Sequence, residues 1–335
     1  MIGQAKSQLS ILDSAFNRRK KRSRTDKLLT QIDNIVDWKR LERKVEPMFK
    51  KSKRGRPTIP IIYSLKCLVL QYLYDLSDPQ LEDYLIDRLS FQRFLGISFE
   101  EEVPDFTTIW RFRERMIKAN LLDKVFNLIL EMLDERNFIL KHWTIVDATI
   151  VQSARKPKKK DKNQEEEGAC KEEEKKNSQQ DNDARFTKKG KKTYYGYKGH
   201  IGIDEGSGII RKVTYTPANV HDSKELENLI SGDERSIFAD KAYDSSDIKR
   251  ECRANGIYYG IIEKAHRNRP LSSKQKKNNK KKSKIRSAVE RTFAHFKSRY
   301  GLSRARYVTL ERNEFHFKML CSIYNIRRGL AFSMG

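Results

Sequence analysis

One ten-residue run, His142 to Val151 (H-W-T-I-V-D-A-T-I-V), constrains the fold more than any other stretch of the chain. It is β-branched and apolar on both faces, so it reads as a central strand. Asp147 stands in its middle. A lone carboxylate buried there costs several kcal/mol, so it must be paired, protonated or on a metal.

Two further acids have comparable settings. Ser236-Ile237-Phe238-Ala239-Asp240 is a short strand ending in a carboxylate, and Ile285 to Tyr300 (I-R-S-A-V-E-R-T-F-A-H-F-K-S-R-Y) is an uninterrupted helical pattern carrying Glu290. On that helix Arg286, Glu290 and Lys297 share one face beside an apolar stripe of Val289, Phe293 and Phe296. By itself this is an intrahelical ion pair worth about 0.2–0.5 kcal/mol. Asp147 and Asp240 change its meaning, because three acids in such places suggest a metal site. Hard oxygen donors without a His or Cys pattern suit Mg²⁺ or Mn²⁺, and a pair of such ions serves in-line displacement at a phosphodiester.

The rest of the chain divides at the same boundary. Residues 1–136 are helical in pattern and predict an all-helical N-terminal domain; residues 137–335 predict an α/β domain. Ile61 to Tyr74 reads as one helix, followed by a stop at Leu76-Ser77-Asp78-Pro79, where Ser77 can cap and Pro79 opens the next helix. Helices are also predicted for Gln80 to Leu89, Ser90 to Leu95, the stretch after Pro104-Asp105, and Leu121 to Leu133. In the helix after Pro104-Asp105, Thr107, Thr108, Arg111 and Arg113 are candidates to face DNA, while Ile109, Trp110 and Phe112 are more simply core. Two basic stretches precede them, Arg18 to Arg24 and the hook-like Lys53-Arg54-Gly55-Arg56-Pro57.

In the second half, residues 155–192 are low-complexity charge runs, predicted as a flexible insertion between two strands. A β-hairpin follows, Tyr194 to Asp204 and Ile209 to Thr216, turning at Gly206-Ser207-Gly208. Helices are expected from about Lys224 and after Asp244-Ser245, a buried strand at Ile257 to Ile262, and a last amphipathic helix at Phe315 to Leu330. From Arg267 to Arg286 there are ten Lys or Arg and no acid, read as a basic loop.

Composition selects the partner. A formal charge of +25 calls for a polyanion, and nucleic acid fits through counterion release. A membrane fits poorly, since Ile59 to Leu76 is broken by Ser64, Lys66 and Gln71, and the N-terminus has no signal-peptide core. An intracellular, cytoplasmic and nucleoid-associated protein is expected. The four cysteines, Cys67, Cys170, Cys252 and Cys321, form no C-x-x-C pair, against zinc or a disulfide framework.

These motifs, in order, resemble bacterial insertion-sequence transposases of the DDE type, in particular the insertion-sequence family numbered five. The matching stretches are G-R-P-x-x-P at Gly55 to Pro60, L-S-D-x-x-L at Leu76 to Leu81, D-R-L-S-F-x-R-F-L-G at Asp87 to Gly96 and P-D-x-x-T-x-x-R-F-R at Pro104 to Arg113. In the second half they are I-V-D-A-T-I-V around Asp147, K-G-H-I-G-I-D at Lys198 to Asp204, A-N-x-H-D at Ala218 to Asp222, A-D-K-A-Y around Asp240, and R-x3-E-x6-K with Glu290.

The resemblance implies an RNase H-like catalytic fold holding two divalent cations on Asp147, Asp240 and Glu290. It implies cleavage at transposon terminal inverted repeats and transfer of the 3′ hydroxyls into target DNA, by a homodimer or larger assembly. Arg286 and Lys297 would contact phosphate, with Lys198, His200 and His221 in support. Ser283 stands where related families often carry a tyrosine. A rival reading is a tyrosine recombinase, on His266-x-x-Arg269 with Tyr300, Tyr307 or Tyr324 as nucleophile.

Overall fold

The computed structural model describes residues 18, 21–49, 59–98, 101–155, 157, 180–265 and 270–333. The hook at Lys53 to Pro57, Cys170, the charge runs between residues 158 and 179, and the His266 to Arg269 stretch lie outside the described residues. The chain forms two compact units, Met1–Leu140 with Lys318–Gly335, and Lys141–Phe317. The first unit runs to Leu140 and takes in the end of the chain, Lys318–Gly335.

The helical unit contains α1 (Arg24–Ile35), α2 (Trp38–Val45), α3 (Ile61–Tyr74), α4 (Asp78–Asp87), α5 (Leu89–Leu95), α6 (Phe106–Lys118) and α7 (Leu122–Asp134). α3 is its axis: every residue but Ile62 and Tyr74 is buried. Its bounds are those the sequence predicts, because Asp75 leaves the helix in the left-handed region (φ 52°) and Ser77 with Gln80 then forms a capping box for α4. Asp105 caps α6 by accepting from the Thr108 N–H at 2.6 Å.

One polar knot crosses this unit. Arg113 on α6 donates to both carboxylate oxygens of Asp78, at 2.8 and 2.7 Å, and to Gln71 Oε1 at 3.1 Å, tying α6 to α4 and α3.

The second unit is a six-stranded mixed sheet made of β1 (Trp143–Gln152), β2 (Arg185–Lys189), β3 (Lys192–Asp204), β4 (Ile210–Pro217), β5 (Ser236–Ala239) and β6 (Tyr258–Tyr259). β3 pairs antiparallel with β1, β2 and β4; β1 pairs parallel with β5, and β5 parallel with β6. Helix α8 (Ser246–Ala254) adds Ile248 and Cys252 to one core, with Val146, Ile237, Leu229 and Tyr243. Helix α9 (Ser273–Arg299) buries Val289, Phe293 and Phe296, and α10 (Leu310–Ser333) begins beyond it. Phe317 on α10 lies over Gly199, where a Cβ would meet its Cζ at 2.6 Å.

Four expectations need correcting. The predicted insertion is partly structured: β2 pairs with the start of β3, and buried Asp181 accepts from Ser153 Oγ at 2.6 Å and from the Tyr197 hydroxyl. No α-helix forms at Lys224; two short 3-10 turns, Asp222–Glu225 and Glu227–Leu229, take its place. The strand predicted at Ile257 to Ile262 shrinks to two residues. The basic loop is helical from Ser273, because Ser272 and Gln275 form a capping box that starts α9 twelve residues early.

Candidate active site

The register of the sheet brings two of the three acids together. Val146 pairs with Ala239 across the parallel strands β1 and β5, so the next residues along, Asp147 and Asp240, are neighbours. Side chains alternate along a strand. With Val146 in the core beside α8, Asp147 points to the other face, where α9 lies.

α9 delivers the third acid together with its counter-charge. Arg286 donates Nη1 to Asp147 Oδ2 at 3.0 Å and Nη2 to Glu290 Oε1 at 2.8 Å, so one guanidinium bridges two carboxylates. Arg286 and Asp147 are both largely enclosed, with side chains 16% and 17% exposed, whereas Glu290 is 58% exposed. Asp147 Oδ1 accepts from the Ala148 N–H at 2.9 Å, and Asp240 Oδ1 from the Lys241 N–H at 2.8 Å.

The electrostatics record the same gathering. Burial pushes the Asp147 carboxyl up to about 6, against the opposing pull of Arg286 and of the Ala148 N–H; the charges on Asp240 and Glu290 push it further in the direction of burial. Lys297, about two helical turns beyond Glu290, is lowered by desolvation and by Lys189 and raised by Asp147, which places it within electrostatic reach of the site.

Among the described residues, no group of three or more His, Cys, Asp or Glu side chains is assembled as a metal cage. Arg286 explains this locally, since its guanidinium lies on the carboxylates that such a cage would use.

The remaining candidates separate by burial. Lys198 donates to Asp222 Oδ1 and to the Val220 carbonyl, both at 2.8 Å, pinning the Asp222–Glu225 turn. His200 is fully buried, with Nε2 at 3.0 Å from Thr216 Oγ1, and burial pushes it down to about 4. It is a neutral core histidine, and its expected contact with DNA is corrected. Arg113 is corrected for the same reason, being 3% exposed and committed to Asp78. Arg111 and His221 remain exposed at the surface, His221 Nδ1 being 2.7 Å from Ser223 Oγ.

Two residues near the acids were quoted in motifs without being given a role there. Tyr243, in A-D-K-A-Y, is buried and its hydroxyl has no hydrogen-bond partner among the described residues; burial raises it far above an ordinary phenol, with Asp222, Asp147, Asp240 and Glu225 adding to the effect. Asp222, in A-N-x-H-D, reads in sequence, with Ser223 as the alternative, as a cap for the helix expected from about Lys224. The signal available for both was their place inside a motif beside an acid.

Two family models match the chain. Residues 141–326 match the family described as Transposase DDE domain, and residues 16–115 match one described as Transposase domain (DUF772). Among solved structures, a cryo-EM structure of the piggyBac transposase synaptic complex with hairpin DNA is similar over 92% of this chain and 74% of that chain, with a TM-score of 0.45 and 13% sequence identity.

Proposed function

Because the chain belongs to the family of transposases with a DDE domain, we propose that it cuts DNA at the terminal inverted repeats of its element and joins the freed 3′ hydroxyls to target DNA. The observation that carries this reading is the Arg286 bridge from Asp147 to Glu290, with Asp240 in register beside Asp147. β4, β3 and β1, antiparallel in turn and continued by the parallel β5 and β6, with acids on β1, just past β5 and on a C-terminal helix, support an RNase H-like catalytic fold.

Asp147, Asp240 and Glu290 are the proposed catalytic acids. Their donor set, all carboxylate oxygen, fits Mg²⁺ or Mn²⁺, with two ions proposed. Asp147, Asp240 and Glu290 would hold such ions, and the chemistry supplied there would be Lewis acidity toward the attacking and leaving oxygens of an in-line phosphoryl displacement. The chain's own contribution is positional. The paired strands hold Asp147 and Asp240 at fixed separation, and Arg286 keeps Asp147 and Glu290 near one another while both are charged. Arg286 is also a donor for a phosphate oxygen at these acids, and Lys297 offers an ammonium within reach of the site.

Lys198 acts differently in this reading. It holds the Asp222–Glu225 turn beside the acids rather than touching DNA itself. His221 and Arg111, both exposed, are proposed to contact the DNA backbone. Joining two element ends in one reaction calls for a homodimer or larger assembly, and the bacterial cytoplasm, at the nucleoid, is the proposed place of action. No helix among the described residues is long and apolar enough to cross a membrane.

The test is the chemistry of the cut end. A labelled duplex carrying the element's terminus is incubated with the full chain and Mg²⁺, then denatured and resolved. A free 3′ hydroxyl and no protein on the DNA support the proposal; a DNA strand covalently attached to a tyrosine of the protein overturns it in favour of a tyrosine recombinase.

A further inference from the structure

The lysine-rich half of α9 is a helix that its own sequence opposes. Lys274, Lys276, Lys277, Lys280, Lys281 and Lys284 are all exposed, and this half of the helix contains no acid. Pairs four apart, such as Lys276 with Lys280 and Lys280 with Lys284, repel along the helix. Positive charge at a helix N-terminus also opposes the helix dipole.

Tertiary bonds hold it in place. Gln275, Asn279 and Lys282, spaced by four and three, face the segment after β6. Gln275 Nε2 donates to Glu263 Oε2 at 2.7 Å, and Asn279 exchanges bonds with the Glu263 N–H and carbonyl, both at 3.1 Å. Lys282 Nζ donates to the Ile261 carbonyl at 2.9 Å. The same spacing continues through Arg286 to Val289, Phe293 and Phe296, so one docking stripe runs the length of the helix.

Directly beside this stripe runs an exposed one of the same spacing. It carries Lys276 and Lys280 at one end, Glu290 further along and Lys297 beyond, with the small residues Ser283, Ser287 and Ala294 between them. Local repulsion maintained by dedicated tertiary bonds is the mark of a surface kept for a partner rather than for stability. The row points along the helix to the acids.

We infer that the lysine half of α9 is a docking surface for the backbone of duplex DNA flanking the cut, an inference that rests on the transposase reading. At about 1.5 Å per residue, Lys276 lies about 21 Å along the axis from Glu290, equivalent to about six base pairs at about 3.4 Å each. Lysine supplies point charges to phosphates without the planar fork that reads guanine, so the contact is independent of sequence. Its role is to lay the duplex along α9 with the scissile phosphate at Glu290.

The experiment uses the full chain and the variant K276Q/K280Q/K284Q, with binding to a 30-base-pair duplex of arbitrary sequence followed by anisotropy across a salt series. Each lost phosphate contact lowers the magnitude of the salt slope by about 0.9, so the variant's slope falls by about 2–3. The K276R/K280R/K284R variant, which keeps the charge, retains the wild-type slope. On a second duplex that carries the element's own end, neutral methylphosphonates placed about six base pairs from the cut weaken the wild type and leave the glutamine variant unaffected. An unchanged slope in the glutamine variant, or equal loss on a single strand of the same length, overturns the inference. Neither result depends on cleavage, so failure of the transposase reading shows separately, as a wild type that binds duplex and never cuts it.

Discussion

Arg286 bridges Asp147 and Glu290, donating to the first at 3.0 Å and to the second at 2.8 Å from the two ends of one guanidinium. A cation already sits among the acids, supplied by the chain itself. Positive charge is what this site is built to hold, and the consequences can be measured.

Without Arg286, Asp147 keeps its burial and loses the guanidinium paired with it. Arg286→Ala is expected to lower stability in EDTA by about 1–3 kcal/mol. Added Mg²⁺ narrows the gap, since binding to the folded state restores the missing charge. Urea midpoints of both proteins, with EDTA and with Mg²⁺, check this; a gap that Mg²⁺ leaves unchanged speaks against a metal at these acids.

Arg113 and Arg111 lie two residues apart and are expected to behave oppositely. Arg113→Ala leaves Asp78 and Gln71 without their shared donor inside the helical unit, at a cost of about 3 kcal/mol. Arg111 is exposed, and Arg111→Ala leaves stability within about 0.5 kcal/mol. Thermal unfolding separates the two, and it reads the first transition, because a chain of two units need not unfold in one step.

His200 makes stability fall with acid. Its folded value, about 4, lies below the ordinary 6.5, so between those limits the unfolded chain binds the extra proton and stability rises with pH. The contribution is complete above about pH 6.5 and is lost as pH falls toward 4, by about 3 kcal/mol across that window. His200→Gln removes this dependence. The difference in urea midpoint between pH 7 and pH 5 is expected to shrink in the variant, and an unchanged difference would show that His200 titrates normally.

How much of this could be read from the sequence depends on whether the cause was local. The limits of α3 were legible because Pro60, Ser77 and Pro79 punctuate the chain beside them. The strand bearing Asp147 was legible because burial on both faces leaves an apolar run. The lysine half of α9 was not, since its charges oppose a helix and the bonds that hold it come from Glu263, ten residues before Ser273. Nor was the base of the insertion, where Asp181 is bonded by Ser153, just past β1, and by Tyr195 and Tyr197 on β3. Arg113 was a missed opportunity: it follows Ile109 by four and precedes Met116 by three, the spacing of the buried face it shares.

The most direct test of the central claim is whether Asp147, Asp240 and Glu290 act as one group. Single-turnover cleavage and joining on a labelled duplex bearing the element's own end, with Mg²⁺ and with EDTA, is measured for wild type, for Asp147→Asn, Asp240→Asn and Glu290→Gln, and for the Asp147→Asn/Asp240→Asn pair. The account predicts that EDTA abolishes both steps, that each single change slows them by about a thousandfold or more, and that the pair is scarcely worse than either change alone. Cleavage that survives EDTA, or any one of the three variants retaining activity within about tenfold of wild type, would contradict it.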